Sequence, residues 1–162
     1  MHASMEQPVM KSEHMKHMKL RLLIMAVLHL AAMYFLMYAM VDRFENIFLN
    51  LNQLYMAAIM TSPMLVFEII LMGSMYGSKK ILAAIGVGSI AVFIVAFLFI
   101  RQQTAIGDEE FLRSMIPHHA GAILMCEESS IEDPRIQELC EQIKASQQAE
   151  IDLMKALLED IK

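Results

Sequence analysis

The chain has 162 residues, of which 57% are hydrophobic and 19% charged, with no tryptophan and a mean hydropathy of +0.46. That is the composition of a protein with membrane spans, not of a water-soluble domain. The net charge of −5 is unevenly placed: residues 1–100 carry seven Lys/Arg against five Asp/Glu, and residues 101–162 carry six against thirteen. An acidic C-terminal segment argues against nucleic acid, whose binding rests on neutralised phosphates.

Seventeen methionines exceed ordinary usage. Methionine is a flexible apolar filler, and it also supplies the soft thioether sulfur that Cu(I) and Ag(I) prefer. Both uses stay open from composition alone.

Residues 1–19 are polar and rich in Met and His, without helical apolar periodicity, and read as a flexible cytoplasmic tail. Within it His14, Met15, His17 and Met18 form a compact cluster of soft and borderline donors. Residues 20–41 form an apolar run long enough to cross a bilayer, which takes about 20 residues. No small-residue cleavage site follows, so the run is expected to stay as an anchor.

A polar segment covers residues 42–53. A second span follows at about 54–76, with Ser62-Pro63 inside and Gly73 and Gly77 at its end, and a third at 81–100. Gly73-xxx-Gly77 and Ala84-xxx-Gly88 are small-residue pairs suited to close helix contact. Lys11, Lys16, Lys19 and Arg21 flank the first span and Lys79-Lys80 separate the second from the third. The positive-inside rule then puts the N-terminus and the 77–80 turn in the cytoplasm and residues 101–162 in the periplasm or its equivalent.

Two of these spans carry unusual stripes. Met25, His29, Met33 and Met37 recur every four residues, followed by Met40; Met56, Met60, Met64, Glu68 and Met72 do the same. A spacing of four keeps side chains on one helix face. Counted from the cytoplasmic ends, His29 is level with Glu68, Met33 with Met64 and Met37 with Met60. An ionisable residue inside a span marks a functional site by default. The set is a candidate Cu(I) relay, or else Met-rich packing around one polar pair.

The C-terminal segment, 101–162, reads as an antiparallel helical hairpin. Gly107-Asp108 supplies a stop and an N-cap, with Glu109-Glu110 in the first turn. Asp133 and Pro134 are the N-cap and first residue of the second helix. Its apolar positions are Ile136, Leu139, Ile143, Ile151, Met154, Leu157 and Ile161. One hairpin buries little, so a second copy is expected to complete a four-helix bundle.

The first helix of the hairpin holds Met115-Ile116-Pro117-His118-His119. A proline this deep in a helix removes a donor and clashes with the preceding turn, at roughly 3 kcal/mol. The Arg113 carbonyl loses its partner and a kink is expected there. Two imidazoles and a thioether at that point would suit a soft metal ion; otherwise the histidines are ordinary surface and core residues.

Counted from a turn near residue 131, His118 and His119 lie level with 144–147, and Met115 with 148–151. Gln147 and Glu150 share the spacing of the apolar stripe, so they are expected to face inward and orient a metal-bound imidazole, or to bond each other. Met125 and Cys126 lie two turns beyond the histidines. Cys126 and Cys140 are too few for a zinc ribbon; a disulfide, buried thiols and thiolates on Cu(I) all remain open.

Gly107-Asp108-(x)2-Phe111-(x)3-Met115-Ile-Pro-His-His119, Ala122-Ile123, Asp133-Pro134-Arg135 and Gln147-(x)2-Glu150-Ile151-(x)2-Met154 resemble the DUF305 family. Its better-understood members are the CopM-like periplasmic copper-binding proteins, and a membrane-anchored branch carries three N-terminal spans. The resemblance covers about residues 104–158. It implies a helical, ferritin-like domain and Cu(I)/Ag(I) binding, and it nominates Met115, His118, His119 and Met154. Cys126, Cys140 and Glu68 are not part of the pattern.

The expected protein is therefore all-α: three transmembrane helices, then an extramembrane hairpin completed by dimerisation. Its expected role is membrane-anchored Cu(I) binding in copper homeostasis or tolerance. The expected partners are lipid, a second copy, and copper exporters or periplasmic copper chaperones. The alternatives are a small copper conduit using His29 and Glu68, and a homo-oligomeric membrane scaffold without metal. A diiron oxidase would need Glu-x-x-His on facing helices, which this chain lacks, so no enzymatic activity is expected.

Overall fold

The computed structural model describes residues 6–73 and 78–161. All regular structure among them is helical, in five α-helices and two short 3-10 turns. Helix α1 runs Glu6–Leu36 and tightens into a 3-10 turn at Met37–Met40. It begins far ahead of the first apolar run, so residues 6–19, expected as a flexible tail, are helical. The reason is propensity. Glu, Gln, Lys and Met are strong helix formers, the apolar segment supplies the nucleus, and Pro8 falls in the first turn, where it costs little.

Helix α2 covers Leu51–Met72 and starts three residues before the expected span, because Asn50 caps it. The Asn50 side-chain oxygen accepts from the Gln53 amide at 2.9 Å, which satisfies one of the orphan donors of the first turn. The expected end of that span at residue 76, and Gly77, lie outside the described residues. Helix α3 spans Lys79–Gln102. Segments Leu20–Met40, Leu51–Met72 and Lys79–Gln102 are long and apolar enough to cross a membrane.

The chain divides into two compact units, one made of α1 up to residue 33 with residues 55–101, the other of residues 34–54 and 102–161. In the first, close approach occurs where a Cβ on Gly73 would lie 3.4 Å from Leu82 Cδ1 and one on Gly86 4.0 Å from Ile69 Cδ1. Among the described residues the expected close contact at Ala84 and Gly88 is not made: Ala84 is exposed and Gly88 meets nothing within 4 Å. Only 11%, 17% and 11% of the three apolar windows is buried, so most of their surface is free to face lipid.

The second unit is built on α4, Asp108–Glu128, and α5, Pro134–Asp160. The N-cap of α4 is Gly107, which bears no side chain; Asp108 is the first helical residue, with Glu109 and Glu110 beside it. Those three carboxylates act on the helix dipole, so Asp108 is not the cap expected from the sequence. On α5 the expectation holds. Asp133 accepts from the Arg135 amide at 2.9 Å and pairs with Arg135 Nη2 at 2.6 Å, and Pro134 opens the helix. The Arg135 guanidinium, helped by its backbone N–H, holds the Asp133 carboxyl below its ordinary 3.8.

The core is Leu112, Ile116, Ala120 and Ile123 from α4 against Ile151, Met154 and Leu158 from α5. The spacings of three and four place each set on one helix face. This rotates α5 away from part of the expected stripe. Ile136, Leu139, Leu157 and Ile161 are exposed, while Cys140, Ile151, Met154 and Leu158 are buried.

Val41 and Phe48, from the segment between α1 and α2, pack against the same core. The chain's own loop thus covers part of the hairpin core. At Gly121 this loop comes so near that an added Cβ would sit 3.2 Å from the Met40 carbonyl oxygen, a tighter approach than most side chains make.

Candidate metal centre

Pro117 lies inside α4, and the helix runs on through it to Glu128. The carbonyl that the proline deprives of a donor, Arg113, is met by the Asn50 side-chain amide at 3.5 Å. Asn50 is 6% exposed and is the hub of the loop. Its amide nitrogen also donates to the Phe48 carbonyl at 2.9 Å, and its backbone N–H donates to the Tyr34 hydroxyl at 3.1 Å. The Tyr38 hydroxyl donates to the Phe48 carbonyl at 2.8 Å, and the Leu51 amide donates to a Glu110 carboxylate oxygen at 2.8 Å. Sequence reasoning treated 42–53 as a plain polar loop and missed this network. The available signal was Tyr34 and Tyr38 one turn apart, with an asparagine directly before a helix start.

Beyond the proline, His119 is 7% exposed and held at both ring nitrogens. Nδ1 lies 2.9 Å from the Met115 carbonyl oxygen and Nε2 lies 2.6 Å from Glu150 Oε2. A carbonyl only accepts, so Nδ1 carries a proton. Nε2 faces Glu150, and a short contact between a ring nitrogen and a carboxyl oxygen is made through one proton, which either partner can carry. The Glu150 side chain is 54% exposed. It reaches in from the rim of the seam instead of facing inward as its spacing had suggested, and Gln147 is half-buried. His118 is exposed, with its ring centroid 6.0 Å from that of His119.

The pairing of His119 with Glu150 corrects the register expected from the sequence by about a turn. The five residues 129–133 between the helices are not helical and do not rise at 1.5 Å each as helix residues do. The observed register sets Met115 at the level of Met154. Met154 is buried in the core, and Met115 is partly buried against the core cluster. His119 is buried, and the two methionines belong to or border the same core, one from each helix.

Cys126 and Cys140 form a disulfide, with Cα atoms 5.3 Å apart, inside the usual window. Cys126, nominated as a metal ligand, thus has its sulfur bonded to Cys140 and no thiolate to offer. Met125 is 54% exposed. Among the described residues, no three His, Cys, Asp or Glu side chains come together as a metal site.

The other nominated sets lie in the long apolar helices and in the N-terminal segment ahead of them. His29, Met33, Met64 and Glu68 are half-buried and Met60 is exposed; Met37 belongs to the other unit. Of the N-terminal cluster, His17 is exposed and Met18 half-buried, while the side chains of His14 and Met15 lie outside the described residues.

Residues 100–159, which contain the hairpin and its His119–Glu150 pair, match the domain of unknown function DUF305. The chain is also 39% identical over 119 residues to a protein of Acanthamoeba polyphaga mimivirus named "Uncharacterized protein L153"; the match covers 72% of this chain and 76% of the viral one. This chain belongs to the DUF305 family. The stretch shared with the viral protein is longer than the DUF305 domain itself, so the likeness extends into the apolar helices or the loop between them. No solved structure matches the chain.

Proposed function

We propose that this DUF305 protein is a membrane-anchored Cu(I)- and Ag(I)-binding protein. Its metal sits in the seam of the hairpin, on His119 Nε2 with Met115 and Met154, and His118 stands beside it. The single observation that carries this reading is the state of His119. Its ring is anchored by Nδ1 on the Met115 carbonyl, while Nε2 is closed only by a proton shared with a half-exposed carboxylate. A soft cation replaces that proton, Glu150 turns outward, and the thioethers supply the sulfur that Cu(I) and Ag(I) favour over harder ions. Imidazole binding needs that proton released, whereas thioether binding needs none.

The ferritin-like kinship of the hairpin, the bacterial inner membrane and the extracytoplasmic side belong to this same reading. Two observations support the topology. Three crossings put the loop of residues 41–50 and the hairpin on one side of a bilayer, and these two segments pack together. The disulfide suits an oxidising compartment. A role in buffering or delivery of copper, with lipid, a second copy and copper-exporting proteins as partners, follows from such a placement.

Silver titration of the full chain in detergent micelles tests the reading. Met115→Leu/Met154→Leu keeps the core volume and removes both sulfurs, and it is expected to weaken Ag(I) binding at least tenfold, as is His119→Ala. Unchanged affinity in both variants would remove the site.

A further inference from the structure

The two cysteines stand outside the centre just described, yet on the same seam. Leu112, His119 and Cys126 follow one another at intervals of seven on α4, and Cys140, Gln147 and Met154 do so on α5. Seven residues are close to two helical turns, so each set keeps to one face, and Cys126 lies about 10 Å along α4 from His119. The order from the tip of the hairpin inward is a cysteine pair, an imidazole, then thioethers.

We propose that Cys126 and Cys140 act as a two-electron reductant that converts Cu(II) to the Cu(I) taken up by the seam; this deepens the copper-binding reading and rests on it. In the reduced protein, two Cu(II) ions each take one electron from the cysteine pair. The sulfur–sulfur bond forms, the two S–H bonds break, both protons pass to solvent, and two Cu(I) ions result. The oxidised pair is the state of this structure. It is reset by thiol–disulfide exchange with an external dithiol, which returns two electrons and two protons.

Three features carry the assignment. The Cα atoms are 5.3 Å apart, and the core of Leu112, Ile116, Ala120, Ile123, Ile151, Met154 and Leu158 holds α4 on α5 independently of the bond. Opening and closing the pair therefore requires no helix to move. A cleft of about 500 Å³, lined by Ser129, Gln137, Glu138 and Glu141 among others, opens directly on both cysteines. Glu138 and the Gln137 amide oxygen attract a divalent copper ion, which accepts oxygen donors more readily than Cu(I) does, while Glu141 is paired with Lys144 at 2.6 Å. Lastly, a compartment that preserves a disulfide also holds copper as Cu(II), so a thioether centre there needs an electron source.

The test uses the full chain in detergent micelles, reduced with a phosphine, freed of reductant without oxygen, and mixed with Cu(II) sulfate and a Cu(I)-specific colorimetric chelator. Two Cu(I) ions per chain are expected, with loss of both free thiols and a 2 Da fall in mass. The chain with its disulfide intact, and Cys126→Ser/Cys140→Ser, should yield no Cu(I). The inference falls if the reduced chain forms no more Cu(I) than these controls, or if Cys126→Ser, with one thiol, matches it in rate and yield. Ag(I) titration of Cys126→Ser/Cys140→Ser separates the two readings, because silver needs no reduction. Retained Ag(I) binding with no Cu(I) yield from the wild-type pair sinks the reductant alone; lost Ag(I) binding with a full Cu(I) yield sinks the seam centre, and with it the delivery argued here.

Discussion

Proline 117 and asparagine 50 lie far apart in sequence and share one carbonyl. The proline removes the donor that would close the turn on Arg113, and the Asn50 amide supplies another from outside the helix. A buried acceptor without a partner costs about 1–3 kcal/mol. Asn50→Ala is therefore expected to destabilise the folded chain by about that much in chemical denaturation followed by near-ultraviolet absorbance. In a Pro117→Ala background the Arg113 carbonyl regains its intrahelical donor, so the same Asn50 change should cost less, by a coupling of about 0.5–1.5 kcal/mol. Full additivity in that cycle would deny the link.

The proline and its consequence for Arg113 were legible in the sequence; the replacement donor was not, because a contact across 63 residues leaves no periodic trace. The reverse holds at Asp133, whose capping role is written in Asp-Pro and is found as expected. Its carboxyl is held below its ordinary value by Arg135, so the charged form is favoured by folding. The contribution is complete above about pH 5 and fades as pH falls through the depressed value. Asp133→Ala should accordingly lower the melting temperature at pH 7, and the gap from wild type should close progressively below pH 4.

At the scale of elements, the hairpin was readable because its caps and apolar spacing are local. Its register was not, since a count through residues 129–133 assumes a rise that non-helical residues do not have. The loop between α1 and α2 was the larger omission. Its polar composition suggested solvent, yet Asn46 and Asn50 are buried and Val41 and Phe48 extend the hairpin core. Gly121 measures how closely loop and helix fit. Gly121→Ala places a methyl 3.2 Å from the Met40 carbonyl oxygen, and overpacking of this kind costs about 1–3 kcal/mol. An alanine in a helix interior would ordinarily gain up to about 1 kcal/mol over glycine. A net loss of stability in thermal melts would show that the docked loop, not helix propensity, decides at this position; a gain would deny the docking.

For the whole molecule the decisive quantity is uncovered apolar surface. With no more than 17% of any of the three apolar windows buried, the long helices satisfy their backbones internally, as a hydrocarbon environment requires, and leave most of their side chains uncovered. The chain is expected to remain with the membrane pellet after extraction at high pH and to leave it only with detergent; release by alkali would contradict three crossings. Length and hydropathy sufficed to find these helices. How they associate was beyond the sequence, because in lipid no hydrophobic gain marks one face over another.

The strap formed by Tyr38, Phe48 and Asn50 also dictates how the hairpin can be severed from its anchor. A cut before residue 102 discards Val41 and Phe48, which roof the core of α4 and α5, and Asn50, which answers the Arg113 carbonyl. A version fit for aqueous work must bring residues 38–50 along, spliced ahead of residue 103 through a short glycine–serine bridge, so that the roof travels with the house.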